Sequence, residues 1–118
     1  MNGVAHIAFK FRKDRLIYLD LIINEFKKYP FKLDVYIHSD KNFNLNYLNS
    51  EYDNGLIKLK KHNLRKYFLY KGWRYRLTFK ARELISKQVN FYDVFMYLED
   101  DIFIPVKAIN YWLANKDK

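Results

Sequence analysis

Three consecutive carboxylates, Glu99, Asp100 and Asp101, follow the apolar run Val94-Phe95-Met96-Tyr97-Leu98. That run predicts a strand. Alternate side chains of a strand share a face, so Glu99 and Asp101 are expected to stand side by side. Two carboxylates about 4 Å apart repel by about 4 kcal/mol at an effective dielectric near 20. A cation beside them offsets that repulsion. Hard divalent ions such as Mg²⁺ or Mn²⁺ choose oxygen ligands and keep positions open for phosphate oxygens. The competing chemistry is a solvated acidic turn that caps a helix opening near Pro105, where carboxylates are also favourable.

Other residue types could do chemistry nearby. Arg74, Arg76, Lys80 and Arg82 crowd the helix expected just before the acidic strand. Arg74 and Arg76 stand at its start, nearer the carboxyl ends of the strands than Arg82, and a guanidinium suits bidentate phosphate binding. A solvated helix face is the plainer alternative. Lys58, Lys60, Lys61, Arg65 and Lys66, mixed with Tyr67, Phe68 and Tyr70, could stack and track a single-stranded nucleic acid. An edge strand guarded by lysine accounts for the same residues, and nucleic acid is not the expected partner. His6, His38 and His62 are scattered over predicted strands and their ends, where a lone histidine is usually packed, and no metal triad is visible. Gly3, Gly55 and Gly72 are isolated, which counts against a dinucleotide-binding or P-loop protein.

The elements that must position these groups alternate along the chain. Val4 to Phe9 reads as a first strand, nearly continuous in apolar character, as suits a strand covered on both faces. A basic segment, Lys10 to Arg15, leads into a helix with Leu16, Leu19, Ile22, Ile23 and Phe26 along one side and Pro30 beyond its end. Leu33 to His38 is a second strand, ending at Ser39-Asp40. Residues 41–55 read as a loop with one short helical turn. Leu56 to Lys61 is a third strand, in which Ile57 and Leu59 alternate with lysines as at a sheet edge. A helix is expected from about Tyr75 to Gln88, and Pro105 opens a last helix. This order implies a mainly parallel sheet with helices on both faces. Right-handed crossovers put the first strand between the second and fourth, with the third at the edge. The acidic cluster then lies at the carboxyl end of a central strand, at the switch point where ligands bind.

The chain has 118 residues, is 50% hydrophobic and reads as a single domain or part-domain, residues 1–118. It lacks cysteine, which removes a disulfide framework and thiolate metal sites. Its net charge of +9 attracts polyanions without choosing among them. No leader and no run of roughly 20 apolar residues is visible, so a cytoplasmic protein without a membrane span is expected.

The segment Tyr97-Leu98-Glu99-Asp100-Asp101-Ile102, with Pro105 shortly after, resembles the metal-binding segment of glycosyltransferases with the GT-A fold, whose motif is Asp-X-Asp. The resemblance implies a three-layer, Rossmann-like α/β fold, here truncated to its N-terminal half. It implies that Asp101 contacts a Mn²⁺ or Mg²⁺ ion bridging the diphosphate of a nucleotide sugar, most readily a uridine diphosphate sugar. Glu99 and Asp100 would support it through ribose, sugar or the metal. It further implies a basic residue after the first strand and an acid ending the second, positions held by Arg12, with Lys10, Lys13 and Arg15 as alternatives in the same basic loop, and by Asp40, both near the nucleotide. The sugar would pass to an acceptor hydroxyl on a glycan or protein, with the catalytic base outside this chain. A non-catalytic nucleotide-binding remnant, or a basic nucleic-acid-binding module, are the alternatives.

Overall fold

The computed structural model describes residues 1–48, 51–62 and 76–117, with the side chains of Tyr47 and of residues 76–79 outside that description. Four strands, β1 (Asn2–Phe9), β2 (Lys32–Ser39), β3 (Ile57–Lys61) and β4 (Val94–Glu99), form one sheet in the order β3-β2-β1-β4. Every pairing is parallel. The helices are α1 (Leu16–Phe26), α2 (Arg76–Lys87) and α3 (Val106–Asn115). Single 3-10 turns occur at Lys13–Arg15 and Leu45–Tyr47, the second being the short turn expected in the 41–55 loop.

The strand order matches the sequence expectation, with β1 between β2 and β4 and the lysine-bearing β3 at an edge. One feature differs. Among the described residues β4 pairs only with β1, so it is the opposite edge of this sheet rather than a central strand. The apolar run from Val94 to Leu98 correctly signalled a strand, but burial by helices and burial by a second neighbouring strand leave the same mark in a sequence.

The two faces of the sheet differ in chemistry. On one face, Ala5, Ile7 and Phe9 of β1, Leu33, Val35 and Ile37 of β2, and Met96 and Leu98 of β4 meet Leu19, Ile22, Ile23 and Phe26 of α1 and Ile109 of α3. The spacing of three to four between the α1 residues puts them on one stripe. Burying each such side chain contributes about 1.5–3 kcal/mol, so this layer carries most of the core. α3 has no capping side chain of its own. Glu25 of α1, only 8% exposed, supplies one by accepting from the Val106 N–H at 2.7 Å. The Tyr29 hydroxyl donates to the Ile104 carbonyl beside it.

The opposite face is polar. Strand parity places His6 of β1 and Asp34, Tyr36 and His38 of β2 on it. The expectation of β1 as a strand covered on both faces holds, since Gly3 to Phe9 are all buried. Tyr92 donates to Asp34 at 2.6 Å, and the other Asp34 oxygen takes the Leu56 N–H at 2.8 Å. α2 meets this face through Gln88, just past its end, which bonds His6.

No described helix is long and apolar enough to cross a membrane.

Candidate functional site

All four strands deliver their carboxyl ends to one side of the sheet: β1 at Phe9, β2 at Ser39, β3 at Lys61 and β4 at Glu99. Glu99 stands beside Ala8 in the register, so the acidic segment is next to the end of β1 as the alternation of elements required. The strand stops at Glu99, and Asp100 and Asp101 occupy a turn closed by the Ile102 N–H on the Glu99 carbonyl at 3.0 Å. The alternation that put Glu99 and Asp101 on a common face holds only while the chain stays extended, and here it ends between them.

The three carboxylates have separate surroundings. Asp100 lies 2.9 Å from Arg15 Nε, with 13% of its side chain exposed against 33% for the arginine. The Arg15 N–H is not aimed at that oxygen and finds no other hydrogen-bond acceptor in the described structure, so the pair is a close ionic contact without a directional bond. Burial pushes the Asp100 carboxyl up, and the Arg15 charge opposes that shift. Arg15 also stands 5.8 Å over the Tyr18 ring. Glu99 and Asp101 are exposed. Asp100 and Asp101 edge a groove of about 100 Å³ whose apolar wall includes Tyr18, Leu21 and Phe103.

The two positions expected after β1 and β2 do not meet. Asp40 accepts the Phe11 N–H at 2.8 Å, tying the loop after β1 to the end of β2. Phe11 in turn packs on Phe9 and Phe43 at ring distances of 6.2 and 5.1 Å. Arg12 points instead to Asp14 at 2.8 Å, both side chains being more than 60% exposed. The 3-10 turn at Lys13–Arg15 carries the chain round, so Arg15 is the basic residue brought to the acidic segment. Arg74 lies outside the described residues, as does the side chain of Arg76, which opens α2.

A divalent ion is implied by the acidic motif, and the donor set is compatible with one. Asp101 and Glu99 offer exposed hard oxygens. Among the described residues no group of three acidic or histidine side chains is arranged to hold an ion. A Mg²⁺ or Mn²⁺ site completed by phosphate oxygens and water needs only one or two carboxylates, so the residues fit that mode and not an all-protein cage.

One constellation was not anticipated. Gln88 Oε1, His6, His38 and His62 form a line of side chains joined by three hydrogen bonds of 2.8 Å each. His6 and His38 are fully buried. Burial lowers all three imidazoles, and His38, which also has His6, His62 and Lys60 as neighbours, is pushed down to about 3. A signal was present in β2, where Leu33, Val35 and Ile37 alternate with Asp34, Tyr36 and His38.

Compared with known proteins, the chain matches no family model, no curated protein sequence and no solved structure.

Proposed function

We propose that this chain is the nucleotide-sugar-binding part of a GT-A-type glycosyltransferase, with a three-layer sandwich as its frame. The observation that carries the reading is the acidic turn Asp100-Asp101, set at the carboxyl end of β4 beside the end of β1 and met there by Arg15. In this reading Asp101, with Glu99, holds a Mn²⁺ or Mg²⁺ ion. When bound, that ion would offset the charge of the departing diphosphate. Arg15 takes the role first expected of Arg12: its side chain is 33% exposed beside Asp100, and a guanidinium suits a phosphate oxygen. Asp40 shapes the nucleotide mouth by holding the Phe11 backbone, and keeps its second oxygen for a base or ribose donor. The donor is a nucleoside diphosphate sugar, most readily the uridine form, and the acceptor is a hydroxyl on a glycan or protein.

Calorimetric titration with uridine diphosphate tests this. Binding is expected with Mn²⁺ present and not in excess chelator, because three carboxylates repel a diphosphate. Asp101→Asn is expected to weaken binding at least about tenfold, or about 1.4 kcal/mol. The fold should survive, since Asp101 is exposed and makes no ion pair among the described residues. Equal affinity in chelator would overturn the metal reading. Metal-independent binding with a steep salt slope would favour a nucleic-acid partner instead.

A further inference from the structure

The line Gln88–His6–His38–His62 crosses the polar face of the sheet from the end of α2, through β1 and β2, to the residue after β3. Its hydrogen bonds can be counted proton by proton. With the Gln88 carbonyl as acceptor, His6 must donate from Nε2. His6 Nδ1 is then an acceptor and takes the Nε2 proton of His38. His38 Nδ1 likewise takes the Nε2 proton of His62. The row therefore uses three protons, one per neutral ring, and all three rings share one tautomer. The position left for a fourth proton is His62 Nδ1, at the outer end, which has no hydrogen-bond partner among the described residues. A fifth proton has no place. It would set two N–H groups against each other at 2.8 Å and break the row.

Apart from the row, the described side chains of α2 that are at least half-buried are Lys80, Ala81, Leu84 and Ile85. Ala81 and Gln88 are the buried ones on and just past it, while Arg82, Glu83, Ser86 and Lys87 are exposed. The charged and titratable groups facing the row are mostly unfavourable to a cation. Lys80 of α2 and Lys60 of β3 stand near His62, with Glu83 as the acid on α2. Tyr36 stacks on His6 at 5.2 Å, and Lys58 and Tyr97 share its register row. Glu99 shares the row of Ala8 and His38. Asp34 lies on the same face but is already taken by Tyr92 and the Leu56 N–H. The other face, with α1 and α3, has no part in the row.

We infer that the histidine row is a proton-operated clasp: it admits one added proton at His62, and a second detaches Gln88 and the C-terminal turn of α2 from the sheet while the apolar layer stays packed. The released stretch ends at Tyr92 and Asp93, which are tied to Asp34 and to the Asn2 backbone.

Amide hydrogen exchange from pH 7.5 to 5, corrected for intrinsic rates, tests this on the intact chain. The amides of the last turn of α2 should open with a constant nearly flat above the free imidazole value of about 6.5 and rising below it towards about a hundredfold per pH unit, the signature of two linked protons once the closed row holds one and the opened row three. Those of α1 and β1 should open with a higher free energy, as a separate unit. His38→Gln keeps one donor and one acceptor in the row but cannot titrate. Its opening constant should rise by only about tenfold per pH unit, one linked proton fewer. Should that variant not fold, ¹⁵N imidazole spectra of the unaltered protein at pH 7.5 stand in for it, and three Nε2–H tautomers are expected. Opening of α2 in step with β1, a pH-independent opening constant, or mixed tautomers would each overturn the clasp.

Discussion

Replacing Glu25 should uncouple α3 from α1. Its carboxylate accepts the Val106 N–H at 2.7 Å and meets Lys28 at 3.2 Å. The Val106 bond is the main reason its carboxyl is held below the ordinary value of 4.5, with Lys28 adding to it and burial opposing. A hydrogen bond to a charged group contributes about 1.5–3 kcal/mol, whereas the Lys28 pair, with its lysine largely exposed, contributes about 0.2–1. Glu25→Ala is therefore expected to cost about 2–3 kcal/mol, and Glu25→Gln, which keeps a neutral acceptor, about 1. Lys28→Ala should cost no more than about 1 kcal/mol. The pH dependence has a definite sign. A carboxyl lowered in the folded state adds stability that is fully present above the unfolded value and is lost as pH falls through the folded one. The gap between the unaltered protein and Glu25→Gln should thus be widest at pH 7 and shrink as pH falls below the ordinary value of 4.5. Urea denaturation at a series of pH values reads this directly. A Glu25→Ala protein within about 0.5 kcal/mol of the parent, or a Glu25→Gln gap that ignores pH, would refute the idea that α1 caps α3.

Two further substitutions bear on the frame and the site. Gly55 has φ +146°, and a Cβ there would collide with the Leu33 carbonyl, so Gly55→Ala should lower stability by about 2 kcal/mol or more in the same denaturation assay. Arg15→Met leaves Asp100 half-buried without its cation, and a loss of about 1–2 kcal/mol at pH 7 is expected. Because burial then raises the Asp100 carboxyl without the arginine to oppose it, that deficit should narrow as pH falls towards 4, and melting curves at the two pH values check it.

Much of the frame could be read from residue order. The third strand announced its place at an edge through Lys58, Lys60 and Lys61, and Pro105 fixed the start of α3 to within a residue. The acidic segment landed where the alternation of elements put it, at the end of β4 beside β1. What failed to show was anything set by a turn's local rotation. Arg12 and Arg15 are three residues apart in one basic segment, and only the 3-10 turn between them decides which reaches Asp100. The shared face expected for Glu99 and Asp101 depended on an extended backbone that ends one residue too soon. The histidines were hidden for another reason. His6 and His38 each look like a packed residue in an apolar strand, and their meeting depends on the β1–β2 register, which pairs His38 with Ala8 and sets it diagonally from His6.

The division of the sheet into an apolar and a polar face has a mechanical consequence. Among the described residues, side chains of α1 and its two flanks hold the acidic turn and the start of α3: Arg15 before the helix meets Asp100, Glu25 within it meets Val106, and Tyr29 after it meets Ile104. The histidine row reaches the turn through the backbones of β1 and β4, with Glu99 on its face of the sheet. Opening α2 removes hydrogen bonds from one face and leaves the buried contacts of the other intact, and those contacts hold β4 against β1. Residues more than about 7–10 Å apart with no shared partner affect stability additively. Substitutions in the row and in the Glu25–Val106 link should therefore add, and nucleotide binding at Asp101 should follow the second and not the first. A His38→Gln protein that had lost uridine diphosphate affinity at pH 7.5, where the row carries no added proton, would mean the two faces communicate through the strands themselves.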